Sequence, residues 1–575
     1  MQPVHQRRWL SRATPPEPLM VQQLAESLEI SSLLATILCR RGYPTAAEAQ
    51  LFLHSVLTTL PDPDLLPDMD KACRRLQQAL KSGEKISIHG DYDVDGISGC
   101  ALLVEALRAF GGHVNYHIPL RLKDGYGLSA EAIRQVAEDG CRLMISVDCG
   151  ISAHLEAQLA QDLGIDLIIT DHHQPGDTLP AAIALVNPQL SANRYPYSPL
   201  AGVGVAFMLL VALRKRLRDT GYFQHAKEPD LRHALDLVAL GTIADIAPLT
   251  GVNRTLVKTG LRLLDKEIRP GVAALKKVAG VSSVTSGSVG FQLAPRLNAA
   301  GRLEDAALGV KLLLGEAEID VQAVAQQLDL FNQQRQALEK KVLADAISRV
   351  ESAPQERRSI VLASADWHSG VIGIVASRLV ERYHRPTFLI ALDNGVGKGS
   401  GRSIKGFDLY QALKECGALL EGYGGHTMAA GLTIAEAQLE AFSQRFEEVA
   451  GARLTDELCT PAIEHDGECL LGFWSIAAVE ELSVLEPYGV GNPQPLFLSR
   501  HCTVKSCSLV AEKHLKFDLE QQGAVLSAIA FGCGERLSEC SGDVDVLYRP
   551  QINHWGGTSK VQIQVVDFCQ VGESE

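Results

Sequence analysis

The chain has 575 residues, 46 % apolar and 21 % charged, and its 54 Lys and Arg against 68 Asp and Glu leave a net charge of −14. That length exceeds one ordinary core and predicts two to four domains; the acidic balance argues against a purely electrostatic nucleic-acid coat, though not against an enzyme with a local basic channel. The 13 cysteines are scattered and never in CxxC spacing, which argues against a zinc ribbon or disulfide framework and suits a reducing cytoplasm.

In chain order, the opening MQPVHQRRWL lacks the apolar core of a secretory signal. Residues 1–80 read as a helical, amphipathic N-terminal extension punctuated by PDPDLLPD. Over 81–250 short β-prone runs (EKISIHGDYD, CRLMISVDCG, IDLIITDHH) alternate with helical stretches, which predicts βαβ units and a parallel sheet. LAGVGVAFMLLVAL at 200–213 has 14 residues, fewer than the ~20 that span a bilayer. It reads as a buried helix with the basic RKRLR at its C-terminal end. Residues 251–352 form a connecting region whose last part, 318–352, keeps helical periodicity without Gly or Pro and reads as a spacer helix. A smaller α/β domain over 353–455 has strands at SIVLAS and TFLIAL and is glycine-rich around 395–431. Short alternating strands over 456–575 predict an OB-like β-barrel.

HGDYDVDG (89–96) crowds three aspartates and a histidine behind the first of these strands. Asp148 follows the next, and Asp171, His172 and His173 follow the third. Groups at the carboxyl ends of neighbouring parallel strands converge on one crevice, so His89, Asp91, Asp93, Asp95, Asp148, Asp171, His172 and His173 are expected together, with Asp245 of GTIADIAPL closing the set. Any one of these Asp residues reads equally well as a helix or turn cap. Taken together they read as a metal site. Carboxylates mixed with imidazoles suit Mn²⁺ or Mg²⁺, and the charge count suits two ions about 4 Å apart, bridged by one Asp and clamping a phosphoryl group.

HGDYDVDG, SVDCG, TDHH and GTIADIAP resemble the four motifs of the DHH phosphoesterase superfamily. NAAGRLEDA, WHSGVIGIVASRL, GSGRS, GGH and YGVGNPQPLF resemble its RecJ branch of single-strand-specific DNA exonucleases, in order from about residue 80 to 570. The resemblance implies His89, Asp93, Asp95, Asp148, His172 and Asp245 as metal ligands. His89 and Asp93 would hold one ion and Asp95 the other, with Asp148 as the bridge. It implies orienting roles for Asp91 and Asp171, Asp91 falling outside the ligand spacing, and places His173 towards the scissile phosphate.

GKGSGRSIKGF (397–407) reads as a flexible loop carrying Ser400, Arg402 and Ser403, and His426 lies on a further glycine turn; such loops suit phosphate. In the resemblance they belong to a DHHA1-type domain that faces the metal site across a cleft and grips substrate phosphates. Arg296, Arg302 and Arg378 are weaker candidates that read nearly as well as surface salt bridges, and Trp367 reads as core. On the barrel, Lys505, Lys513, Lys516 and Phe517 read first as ordinary surface or barrel residues.

The reading implied is an α/β multidomain hydrolase: a parallel-sheet DHH domain, a DHHA1 domain joined by the long helix, and the barrel. It would use two Mn²⁺ (or Mg²⁺) ions to degrade single-stranded DNA 5′→3′ to 5′-mononucleotides in recombination and repair. The expected setting is a cytoplasmic monomer off the membrane, with single-stranded-DNA-binding protein and a DNA helicase as partners. Two rivals are a hydrolase of short RNA or cyclic dinucleotides, whose relatives are shorter chains, and a non-catalytic scaffold, whose relatives have lost ligands that this chain keeps.

Overall fold

The computed structural model describes residues 7–120, 125, 127–316, 318–353, 357–555 and 557–571; the MQPVHQ start of the expected N-terminal extension lies outside them. The chain forms two compact units. One contains residues up to Ala49, Gln334–Val484 and the stretch from Pro495; the other contains Gln50–Gln333 and Leu485–Gln494.

The N-terminal stretch is not wholly helical. Arg8–Ser11 is a strand, β1, ahead of helices Pro18–Leu28, Ser32–Arg40 and Ala46–Leu53. It pairs in parallel with Ala462–His465. Its Trp9 packs, with Ile463 and Val566, against the buried cluster of Leu496, Leu498 and Leu547 and donates its indole N–H to Asp567 Oδ2 at 3.0 Å. A four-residue strand held by partners some 450 positions away leaves little periodicity to read.

The unit around Gln50–Gln333 carries the expected parallel sheet: β2 (Lys85–Gly90), β3 (His113–His117), β4 (Leu143–Val147), β5 (Asp166–Thr170) and β6 (Ala184–Val186). The order is β3-β2-β4-β5-β6, and every pair is parallel. Leu143, Ile145, Val147 and Ile168 enter the larger core beside helices Val94–Ala109, Gly202–Asp219 and Leu235–Ala244, whereas Met144, Leu167 and Ile169 enter a second core on the opposite face. Burial on both faces explains the uninterrupted apolar runs. The 200–213 run is buried helix, as expected, within Gly202–Asp219.

In the other unit, β7 (Ile360–Ser364), β8 (Thr387–Asp393), β9 (Val396–Arg402), β10 (Gly422–Gly425) and β11 (Ala429–Ala435) form a mixed sheet in the order β10-β11-β9-β8-β7. Here the structure corrects a sequence expectation: GKGSGR is not a flexible loop but the central strand β9. Its glycines alternate because neighbouring side chains fill the space on one face. A Cβ at Gly397 would lie 2.6 Å from Ile390 Cγ2, at Gly399 2.7 Å from Leu432 Cδ1, and at Gly401 2.4 Å from Phe388 Cε1. Low β-propensity hides a strand whose glycines answer to its neighbours.

The long helix spans Val321–Ser352. Beyond it come β12 (Ala462–His465), β13 (Gly467–Glu468), β14 (Phe497–Val510), β15 (His514–Gln521), β16 (Ala524–Ala530), β17 (Asp543–Trp555) and β18 (Thr558–Gln570). Strands β14-β15-β16-β18-β17 pair in that order and β17 returns to β14, closing a five-stranded barrel without free edges. Among the described residues, no helix is long and apolar enough to cross a membrane.

Candidate metal centre

The sheet register sets the site. His89 pairs with Ser146, Gly90 with Val147, and Val147 with Thr170, so β2, β4 and β5 end at one level. Asp91, Asp148 and Asp171 each follow directly, and all three are buried. Asp148 sits at φ +64, the left-handed region that Asp tolerates better than most residues, and its N–H donates to the Thr170 carbonyl at 3.0 Å.

Asp93 serves as a cap as well: its Oδ1 accepts the N–H groups of Asp95 (2.9 Å) and Gly96 (3.1 Å) at the start of helix Val94–Ala109. Asp95, the second residue of that helix, is held from elsewhere. Its two oxygens accept the N–H groups of Gly202 (2.6 Å) and Val203 (2.8 Å) at the N-terminus of the Gly202 helix, where the helix dipole favours an anion. Two glycines make that crowding feasible. A Cβ at Gly202 would lie 2.6 Å from Asp148 Cβ, and one at Gly241 2.8 Å from Asp95 Oδ1. Sequence reading passed over both, since they look like small residues in apolar runs. It also passed over Asn298 within NAAGR, whose Oδ1 accepts the Val94 N–H at 3.1 Å.

The side chains gather into three groups whose ligand atoms lie within 4.8 Å of one another: Asp91, Asp93 and Asp148; Asp148, His172 and His173; Asp95, His172 and Asp245. His172 Nε2 is 3.0 Å from Asp148 Oδ1, and its Nδ1 is 3.8 Å from Asp245 Oδ2. Asp91, expected in an orienting role, has a carboxylate oxygen in one of these groups, beside Asp93 and Asp148. His89 is in none of the three groups; fully buried at the end of β2, its Nε2 lies 3.0 Å from the Gly127 carbonyl oxygen.

Asp171 is the organiser. Its carboxylate accepts the N–H groups of Ile151 (2.9 Å), His172 (2.7 Å) and His173 (3.1 Å), and its Oδ1 also lies 2.7 Å from His173 Nδ1. Burial works to raise its pKa, but the His173 contact and the backbone donors hold it below the ordinary value. Burial opposes charge on His173 as well, and the Asp171 hydrogen bond and charge outweigh it, giving a pKa of about 9. His172, buried beside that cation, is pushed down to about 4 and stays a neutral donor. Burial, then Asp93, raises Asp95 to about 7; burial, then Asp95 and Asp93, raises Asp245 to about 8; burial and four neighbouring carboxylates raise Asp148 well above the carboxylate range.

Carboxylates that push one another towards protonation are what a divalent cation relieves. The three groups hold oxygen and imidazole donors and no thiolate, so the donor chemistry fits Mn²⁺ or Mg²⁺ and two neighbouring positions sharing Asp148 and His172.

In the other unit Ser400 and Arg402 lie on the β9 face opposite its glycines. Arg402 Nη1 donates to Ser400 Oγ at 3.2 Å, and a Cβ at Gly373 would lie 2.8 Å from Ser400 Oγ and 3.1 Å from Arg402 Nη2. The pair thus lies against the first turns of helix Ser369–Tyr383. Ser403 is buried and donates its hydroxyl to the Phe407 carbonyl at 2.6 Å, a structural contact. His426 is exposed in the β10–β11 turn, its N–H donating to the Ala429 carbonyl at 2.8 Å. Arg378 is a surface residue of its helix, 3.1 Å from Glu381 and 3.5 Å from Glu339. Arg296 pairs with Asp329 at 2.8 Å, and Trp367 is core, donating to Asp345 Oδ2 at 2.8 Å. Arg302 lies in the last turn of helix Ala294–Leu303, whose Gly301 would place a Cβ 2.8 Å from the Tyr92 carbonyl oxygen, inside the HGDYDVDG segment.

Residues 85–242 match the DHH family, N-terminal domain, residues 357–452 the DHHA1 domain, and residues 465–567 the RecJ OB domain. The chain is 39 % identical to the single-stranded-DNA-specific exonuclease RecJ of Dickeya dadantii, over 95 % of this chain and 97 % of that one. It resembles the crystal structure of RecJ in complex with Mn²⁺ from Thermus thermophilus with a TM-score of 0.84 and 34 % identity, over 98 % of this chain and 79 % of the other. The corresponding Mg²⁺ complex matches with a TM-score of 0.78 and 32 % identity, over 98 % and 78 %.

Proposed function

Because the chain belongs to the RecJ family of single-stranded-DNA-specific exonucleases, we propose that it hydrolyses single-stranded DNA from the 5′ end to 5′-mononucleotides, in recombination and repair. The observation that carries the reading is the sharing of Asp148 and His172 between adjacent donor groups, which suits a pair of ions. Those ions are Mn²⁺ or Mg²⁺, as in the Thermus relatives. Bound there, paired divalent cations polarise a phosphodiester and lower the pKa of an attacking water.

The chain's own residues do the rest. Asp93, Asp95, Asp148, His172 and Asp245 are the proposed ligands; Asp91 joins them because its carboxylate lies within reach of Asp93 and Asp148. His89 stays in the set on family resemblance. Asp171 orients the DHH turn and keeps His173 protonated, and that cation donates to the scissile phosphate, where charge-assisted hydrogen bonds are strongest as negative charge develops. Ser400 and Arg402, with His426, bind phosphates of the strand; Arg302 and Arg378 are secondary, and Ser403 supports the backbone there. The closed barrel suits a polymeric strand better than a dinucleotide. The protein acts as a cytoplasmic monomer on strands that a helicase exposes and single-strand-binding protein coats.

The test is one assay with 5′- or 3′-labelled single-stranded DNA and RNA, run with Mn²⁺, with Mg²⁺ and with chelator. The reading predicts labelled mononucleotide from 5′-marked DNA first, and no release with chelator. Release from the 3′ end first would overturn the polarity.

A further inference from the structure

The turn that carries Asp245 is strained. Asp245 caps helix Leu235–Ala244, and Ile246 after it sits at φ +61, a conformation that a β-branched residue adopts only at a steric cost. Ile246 is 68 % exposed, so its own side-chain packing does not offset that cost. The far end of the turn is where it is gripped. The Leu249 N–H donates to the Val490 carbonyl at 2.7 Å, and the Pro248 carbonyl accepts from the Tyr197 hydroxyl and the Asn253 amide, each at 3.1 Å.

Val490 belongs to Leu485–Gln494, a segment that packs with Gln50–Gln333 although the chain on either side of it belongs to the other unit. The segment is held firmly. Arg254, fully buried, donates to the carbonyls of Leu485 (2.9 Å), Glu486 (2.8 Å) and Pro487 (3.4 Å). The Asn492 amide donates to the Leu485 and Pro487 carbonyls, both at 2.8 Å, and the Ser286 hydroxyl to the Tyr488 carbonyl at 2.5 Å. Two glycines let it close on the turn: a Cβ at Gly489 would lie 2.6 Å from Leu249 Cδ1, and one at Gly491, which is at φ +73, 3.1 Å from Thr250 Cγ2.

We propose that Tyr488–Asn492 is a positioning element for Asp245: it clamps the 246–250 turn and so keeps the Asp245 carboxylate in register with Asp95 and His172. The motif acts through the turn and not by touching substrate. The inference rests on Asp245 being a metal ligand, and residues that support ligands in this way typically change metal affinity about 10–100-fold.

The test is Mn²⁺ titration of the full-length chain, read from the electron paramagnetic resonance signal of free Mn²⁺, for the parent, Gly489→Ala, Ser286→Ala and Asp245→Ala. The milder Ser286→Ala covers the case in which Gly489→Ala does not fold, and circular dichroism with chelator reports folding. The proposal expects Gly489→Ala to weaken by about tenfold or more the same binding step that Asp245→Ala abolishes, Ser286→Ala to weaken it less, and Gly489→Ala/Leu249→Ala to restore it. Parent-like Mn²⁺ binding by Gly489→Ala and Ser286→Ala, with the step lost in Asp245→Ala, overturns the positioning role alone. Parent-like binding by Asp245→Ala overturns the ligand assignment and the positioning role with it.

Discussion

Asp171 Oδ1 lies 2.7 Å from Nδ1 of His173 while also accepting the backbone N–H groups of His172 and His173. One buried carboxylate therefore fixes both the DHH turn and the charge of its last residue, lifting His173 to a pKa of about 9.

Replacing that carboxylate by an amide keeps the shape and removes the charge. Asp171→Asn is expected to lower turnover of single-stranded DNA about 10–100-fold at pH 8 and to move the alkaline limb of the pH–rate profile to lower pH. Without its partner, His173 retains the burial that disfavours its cation and loses the interaction that favours it. An unchanged alkaline limb, measured between pH 6 and 10, would show that the His173 cation is not the group being held.

Asp148 takes part in two of the three donor groups, so its removal damages both positions. Asp148→Ala is expected to cut hydrolysis by at least about 10³-fold, comparable with losing a principal charge-stabilising element, while single-strand binding in a gel-shift assay stays near parental. Mn²⁺-dependent degradation by the purified variant would sink the two-position reading.

Stability of the metal-free chain has a predicted slope. In the fold Asp95, Asp245 and His173 have pKa values of about 7, 8 and 9, all above the ordinary values of about 3.9 for Asp and 6.5 for His in an unfolded chain. Between pH 7 and 9 the folded state thus binds more protons than the unfolded state, and stability falls as pH rises. His172, depressed to about 4, has finished contributing by pH 7. With chelator, thermal unfolding should come several degrees lower at pH 9 than at pH 7; with Mg²⁺, which favours the ionised carboxylates, the difference should shrink. A chelated chain that is more stable at pH 9 contradicts this account.

Arg402, beside Ser400 and the start of the Ser369 helix, is proposed to grip a phosphate with a planar fork that lysine lacks. Arg402→Lys should raise KM for single-stranded DNA about tenfold, or about 1.4 kcal/mol, with kcat within about twofold. A fall in kcat at constant KM would move Arg402 from strand anchoring to the chemical step.

The parallel sheet was legible because β2, β4 and β5 are apolar runs that each end on acid, and chain direction alone sends such ends to one edge. The barrel was legible from its alternating strands. Strand β9 was not, because Gly397, Gly399 and Gly401 look like a loop until Ile390, Leu432 and Phe388 are seen filling the space beside them. Strand β1 was missed because four residues pair with a segment far along the chain.

By itself, the sequence determined which residue types gather at the carboxyl edge of the sheet, and hence the class of ion they suit, since residue chemistry and strand order are local properties. Tertiary structure decided which of them stand together. It gathered Asp91 with Asp93 and Asp148, set His89 Nε2 3.0 Å from the Gly127 carbonyl oxygen, and brought Gly202 and Gly241 against Asp148 and Asp95. It also closed the Gly489 turn on the loop behind Asp245. These are relations between segments tens to hundreds of residues apart, set by packing distances that no local pattern encodes.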